Sequence, residues 1–152
     1  ETGGSLHDKL AEAGAKLCVE TLKALEDKTV TPEKQGETPT AYARMLDKKL
    51  GNIDWTMDAV SIERLIRGLN PWPSAYTMWD GKVIKIWAAR VVEGSKEQEP
   101  GTVVRVEKDS ITVQTGSGQL QIMELQLQGK KRMDTAAFLR GYHVDELTKL
   151  GE

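Results

Sequence analysis

The chain has 152 residues and a mass of 16.8 kDa, with 39% hydrophobic and 29% charged residues, which places it among small globular domains and outside the disordered class. No apolar run approaches the roughly 18 residues of a spanning helix and no charged-then-apolar signal pattern opens the chain, so the expectation is a cytoplasmic protein with no membrane partner. The single Cys18 excludes an internal disulfide and a thiolate zinc cluster, His7 and His143 lie too far apart in sequence to suggest a multi-histidine metal site, and the net charge of −2 requires any nucleic-acid contact to be local.

Residues 5–27 predict a helix, with Ser5 as its cap and Asp8 as the reciprocal partner. Leu6, Leu10, Ala13 and Leu17 form one stripe, which Leu22 and Leu25 extend. The chain opens on Glu1-Thr2-Gly3-Gly4 without an initiator methionine. An amphipathic helix with nothing before it to pack on predicts a piece of a longer chain; a processed terminus is the plain alternative. Residues 29–50, broken by Pro32, Gly36 and Pro39, predict a connector with a short helical turn around 42–46. It ends on Lys48 and Lys49, which can touch an anion or simply solvate a helix end.

Residues 52–70 hold the second predicted helix, capped by Asp58 and apolar along Ile62, Leu65, Ile66 and Leu69. Pro71 and Pro73 end it in a rigid Asn70-Pro71-Trp72-Pro73 corner. The period then changes to two. Asp80-Gly81 predicts a hairpin between strands at 75–79 and 82–92, the second apolar on both faces near its middle and therefore bent. A charged loop at 93–100 leads to strands at 101–107 and 110–115. Gly116-Ser117-Gly118 turns into a fifth strand at 119–128. The turn joins two strands, so a hairpin explains the glycines better than a phosphate cradle. In that strand the apolar phase slips from Leu120 and Ile122 to Met123, Leu125 and Leu127, which predicts a β-bulge near 122–124. The expected fold is mainly β, a small five-stranded closed or nearly closed barrel with a capping helix, a short C-terminal helix and an isolated N-terminal helix. The last helix covers 135–140, with Asp134 as cap, Gly141 as stop and Met133 stapled to Phe138. The final ten residues carry little pattern.

Hydrolase, phosphate-loop and zinc-protease motifs are absent from the sequence. Lys130, Lys131 and Arg132 form its compact basic cluster, placed just before a helix start where backbone donors also favour a phosphate. As a bare charge run, the same residues read as a solvated loop. Of the tryptophans, Trp55 and Trp72 read as core residues flanking an apolar helix, whereas Trp79 and Trp87 on strands stay open as stacking platforms.

Four segments carry a resemblance: GGSLHDKLAEAGAKL, GNIDWTMDAVSIERLIRGLNPWPSAYT, DGKVIKIWAARVV and LQGKKRMDTAAFLRGY. In order and spacing they resemble the second half of the methionyl-tRNA formyltransferase family, most specifically in the I-D-W, N-P-W-P and G-K-K-x-M segments. The resemblance implies that residues 1–28 are the last helix of a Rossmann-like catalytic domain, 29–50 a linker and 51–152 an OB-like domain that helps hold initiator tRNA. It places the formyl donor, 10-formyltetrahydrofolate, and the catalytic Asn–His–Asp set with its S-L-L-P loop in the preceding domain; this sequence carries no S-L-L-P. The expectation is therefore no catalytic or cofactor residue and no formyltransferase activity in this chain alone.

For tRNA the resemblance points to Lys130 and Lys131 first, Arg132 second, and Lys48 with Lys49 third. Residues 51–152 carry 13 Lys/Arg against 14 Asp/Glu, so binding by the isolated chain is expected to be weak. The leucine stripe of residues 6–25, deprived of its catalytic domain, is expected to fray, fold back or pair with a second chain as a dimer. Two other classes stay open: the module of a related formyl-transferring or formyl-hydrolysing enzyme with a non-RNA substrate, such as a nucleotide sugar, and a free-standing OB-type binding module.

Overall fold

The first helix, α1 (Gly3–Glu26), begins earlier than the predicted serine cap. The computed structural model, which describes residues 1–95 and 98–151, gives that role to Thr2. Thr2 Oγ1 accepts from the Ser5 amide at 3.1 Å while the Thr2 amide donates to Ser5 Oγ at 2.9 Å, a capping box built from Thr2 and Ser5 rather than Ser5 and Asp8. No residue of α1 is buried, and Leu6, Leu10 and Leu17 are all exposed. The helix is tied to the rest at its start, where the Gly4 amide donates to Asn70 O at 2.8 Å. Gly3 and Gly4 permit this approach: a Cβ on Gly3 would lie 2.2 Å from Gly68 O, and one on Gly4 2.8 Å from Pro71 Cδ. The turn expected at 42–46 is not helical; the helical piece is one 3-10 turn, Lys48–Gly51, whose amides at Lys49 and Leu50 are capped by Asp47 Oδ1. An acceptor at position 47 starts the turn later than the apolar pattern suggests.

Helix α2 (Ala59–Gly68) starts at its predicted cap. Asp58 Oδ1 accepts from the Ser61 amide at 2.9 Å and Oδ2 from Ser61 Oγ at 2.7 Å. Ile62, Ile66 and Leu69 are buried, as the periodicity requires. The chain then turns through two cis bonds, Asn70–Pro71 and Trp72–Pro73, into the sheet.

The strands are β1 (Ala75–Trp79), β2 (Lys82–Val92), β3 (Val103–Val106), β4 (Ile111–Gln114), β5 (Gln119–Leu127) and the two-residue β6 (Met133–Asp134). All pairs are antiparallel, in the order β1-β2-β5-β4-β3, with β6 on β5. Asp80 and Gly81 both adopt positive φ at the first hairpin, as its sequence predicts. The bulge expected in β5 is present and has a counterpart in β2. Ile86 pairs with Leu125, Ala88 with Glu124 and Ala89 with Ile122, so Trp87 on one strand and Met123 on the other are passed over by the ladder. The two irregularities compensate, which keeps Ile84, Ile86, Ile122, Leu125 and Leu127 all buried.

The concave face encloses a core to which β1 through β5, α2 and α3 (Thr135–Gly141) all contribute, with Phe138 stacked on Tyr142 at 4.7 Å and edge-on to Trp79 at 5.4 Å. Asp134 caps α3 through the Ala137 amide, and Gly141 is the last helical residue rather than the stop after it.

No ladder joins β1 to β3 among the described residues, so of the closed or nearly closed barrel expected, the ladder leaves the sheet open between those two strands. The patternless tail occupies the gap. The Leu147 amide donates to Val103 O and the Val103 amide to Thr148 O, both at 2.8 Å, and the Gly151 amide reaches Met78 O of β1 at 2.9 Å. Val144 and Leu150 are buried against the core. Of the loop expected at 93–100, residues 96 and 97 lie outside the described residues; Ser95 O accepts from Gln119 Nε2 at 3.3 Å.

Candidate nucleic-acid interface

The alternation of β2 sends Ile84 and Ile86 inward and Val83, Lys85 and Trp87 to the opposite, convex face. Register then sets Tyr76 of β1, Lys85 of β2 and Gln126 of β5 in one row across that face. Trp87, released from the ladder by the bulge, donates through Nε1 to Gln126 Oε1 at 3.2 Å, and Gln126 Nε2 donates to Lys130 O at 2.9 Å. Lys85 Nζ lies 5.7 Å from the Trp87 ring centre.

Two grooves follow this row. One, about 500 Å³, is lined by Lys48, Trp72, Pro73, Tyr76, Val83 and Lys85. The other, about 200 Å³, is lined by Val83, Lys85, Gln126, Leu127, Gln128 and Gly129. They share Val83 and Lys85, and neither lining contains a carboxylate. The Ile53 amide, bonded to Tyr76 O at 2.8 Å, anchors the segment that follows Lys48 to β1. The fold thus brings Lys48, far from the second cluster in sequence, to one end of a strip whose other end is Gly129, the residue before Lys130; the Lys130 and Lys131 side chains line neither groove.

The predicted cations do not share one state. Lys48, Lys49, Lys130 and Lys131 are exposed, and among the described residues none of them has an ion pair. Arg132 is held: its Nε and Nη2 each lie 2.5 Å from a Glu124 carboxylate oxygen, and its guanidinium carbon lies 4.7 Å from the Trp87 ring centre. Hydrogen bonding to Glu124 pushes the guanidinium pKa further up. Its charge is therefore largely answered within the chain. Lys49 is exposed but lines neither groove.

Trp72 corrects the sequence reading. It is 56% exposed and lines the larger groove, whereas Trp55 is buried with Nε1 bonded to Thr77 Oγ1 at 3.0 Å. Trp79 belongs to the core and Trp87 to the convex face. Lys85 and Trp72 are the members of the strip that sequence reasoning passed over. The signal for Lys85 was its place between Val83 and Trp87 at a spacing of two; a rigid proline corner that cannot bury its own tryptophan was the signal for Trp72.

The chain is a formyltransferase module: residues 45–143 match the family described as formyl transferase, C-terminal domain, and the chain belongs to that family. Its relatives are more particular. The chain is 58% identical over 146 residues to the methionyl-tRNA formyltransferase of Agathobacter rectalis, covering 96% of this chain and 47% of that protein. It is 49% identical over 157 residues to that of Lachnospira eligens, covering 100% of this chain and 50% of that protein. The chain spans about half the length of the curated relatives it matches. Among solved structures it resembles HypX from Aquifex aeolicus in complex with tetrahydrofolic acid, with a TM-score of 0.58 and 21% identity over 88% of this chain and 26% of that one. At that identity the likeness is one of fold alone.

Proposed function

We propose that this chain is the C-terminal half of a methionyl-tRNA formyltransferase and that its convex face positions initiator tRNA. The observation that carries the reading is the pair of adjoining carboxylate-free grooves that hold Lys48 and Lys85 and end at Gly129, next in sequence to Lys130, which has no ion pair among the described residues, on a chain whose overall charge is −2. The high identity to proteins of that name supports it. Residues 1–28 are then the last helix of a Rossmann-like catalytic domain, 29–50 the linker and 51–152 the tRNA-binding domain. In this reading 51–152 is an OB-like barrel, its β1–β3 gap filled by the tail. The catalytic domain covers the exposed leucines of α1; without it, that stripe favours pairing with a second chain. The enzyme is cytoplasmic; no described helix is long and apolar enough to cross a membrane.

The formyl donor in this reading is 10-formyltetrahydrofolate. The enclosed cavity under the sheet, at about 10 Å³, is no more than a single water needs and has no room for it, and this reading places it in the catalytic domain. No step of the transfer is placed on these residues; their part is to bind and orient tRNA.

The test is Lys130→Glu with Lys131→Glu in the full-length protein. Both side chains are exposed, so the fold survives. The Michaelis constant for tRNA rises while that for the formyl donor stays put, and the salt slope of tRNA binding falls by roughly one unit per lysine. Wild-type tRNA dependence at low salt in the double variant refutes the assignment of this cluster. The isolated chain shows no formyl transfer above a protein-free control.

A further inference from the structure

Resting on that RNA-binding reading, we propose that the groove between Lys48 and Lys85 is a stacking site for one unpaired nucleotide of the RNA, with Trp72 as the platform. Trp72, at 56% exposure, is the most solvent-exposed of the chain's tryptophans, and the backbone corner that carries it is closed: the Ser74 amide donates to Leu69 O at 2.9 Å, and Asn70 Nδ2 donates to Trp87 O at 3.3 Å. With the backbone already fixed, only the two side-chain torsions of the indole are ordered on binding. The groove it lines adds Tyr76, the apolar Pro73 and Val83, and two lysines, with no carboxylate. An apolar and aromatic wall beside two cations suits a base bound through its face and a phosphate bound through its charge; a purely apolar partner would leave both lysines unanswered, and a duplex offers no free base face. At about 500 Å³ the groove falls within the roughly 300–1,000 Å³ of small-ligand sites. Lys85 is shared with the second groove, so the adjoining phosphates continue along Gln126 and Gln128 to Gly129.

Titrating the chain with single-stranded oligouridine, whose bases stack poorly on one another, tests this by tryptophan fluorescence. Oligouridine quenches the emission of the exposed indole. Trp72→Ala removes that quenching and weakens oligouridine binding by roughly 5- to 100-fold, the range for losing one stacked base, while Trp72→Phe keeps most of the affinity. Polyphosphate and duplex RNA, which supply charge without a free base face, bind the Trp72→Ala chain within about twofold of wild type. Lys85→Ala weakens all three probes and lowers the salt slope by roughly one unit. The proposal is overturned if Trp72→Ala binds oligouridine as wild type does, or if it loses polyphosphate and oligouridine equally. It is also overturned if the indole in the full-length protein is already shielded by protein and unresponsive to RNA. In each of these cases a tRNA response to Lys130→Glu with Lys131→Glu leaves the RNA-binding reading standing; loss of both responses removes both.

Discussion

Leu150→Ala asks whether the tail is part of the core or an appendage. Leu150 is 6% exposed and borders the central cavity together with Val103, Ile111 and Phe138. Truncating a buried leucine to alanine costs about 2–5 kcal/mol, depending on how far the surroundings collapse into the hole. Leu150 sits near a chain end held by a few backbone bonds, so the tail can settle inward, and the lower part of that range, about 2–3 kcal/mol, applies. A chain of this length loses roughly 2–4 °C in melting temperature per kcal/mol, which makes the expected fall about 4–12 °C. Leu147 provides the control, being in the same tail but 66% exposed. Leu147→Ala should stay within about 0.5 kcal/mol of wild type. Thermal and urea melts followed by tryptophan fluorescence report on the sheet without interference from the exposed α1, because Trp55 lies beside Gly101 and Gly151. Equal, small effects of the two substitutions would refute the reasoning: the tail would then be a surface strand whose leucine is dispensable.

Gly116→Ala should destabilise by about 1–3 kcal/mol or more, because its Cβ would lie 1.8 Å from Thr56 O, a backbone atom that cannot rotate away; a denaturant midpoint measures it. Asp58 is held below the ordinary carboxylate value of 3.8, first by the Ser61 hydroxyl and then by the Ser61 amide, so its contribution is complete above that value and is lost as pH falls through and below it. Asp58→Asn keeps an acceptor at the cap and removes the titration, so its acid unfolding curve should be shallower than wild type's. Glu124→Gln removes the carboxylate that holds Arg132, outside the two grooves, and frees that cation toward solvent, so RNA affinity should rise and the salt slope steepen by roughly one unit in titrations at several salt concentrations.

Local chemistry determined much of this molecule. Asp80-Gly81, Asp58 and Asp134 act on residues a few positions away, so the first hairpin and the starts of α2 and α3 stand where their sequences put them. The bulge in β5 was legible for the same reason: a period of two either holds or slips within a few residues. Its counterpart at Trp87 was not, since the choice of which residue to pass over depends on the partner strand. Likewise Val144 and Leu150 carry no periodicity, because their burial follows from a gap between β1 and β3 that exists only once the sheet has curled. The candidate site divides in the same way. Lys130, Lys131, Lys48 and Lys49 were visible as charges, whereas the pairing of Arg132 with Glu124, the exposure of Trp72 and the place of Lys85 between the two clusters were decided by strand register. Composition counts charges; only the tertiary structure determines which of them meet a carboxylate and which are left facing a groove, because those contacts join residues that are close in space and distant along the chain.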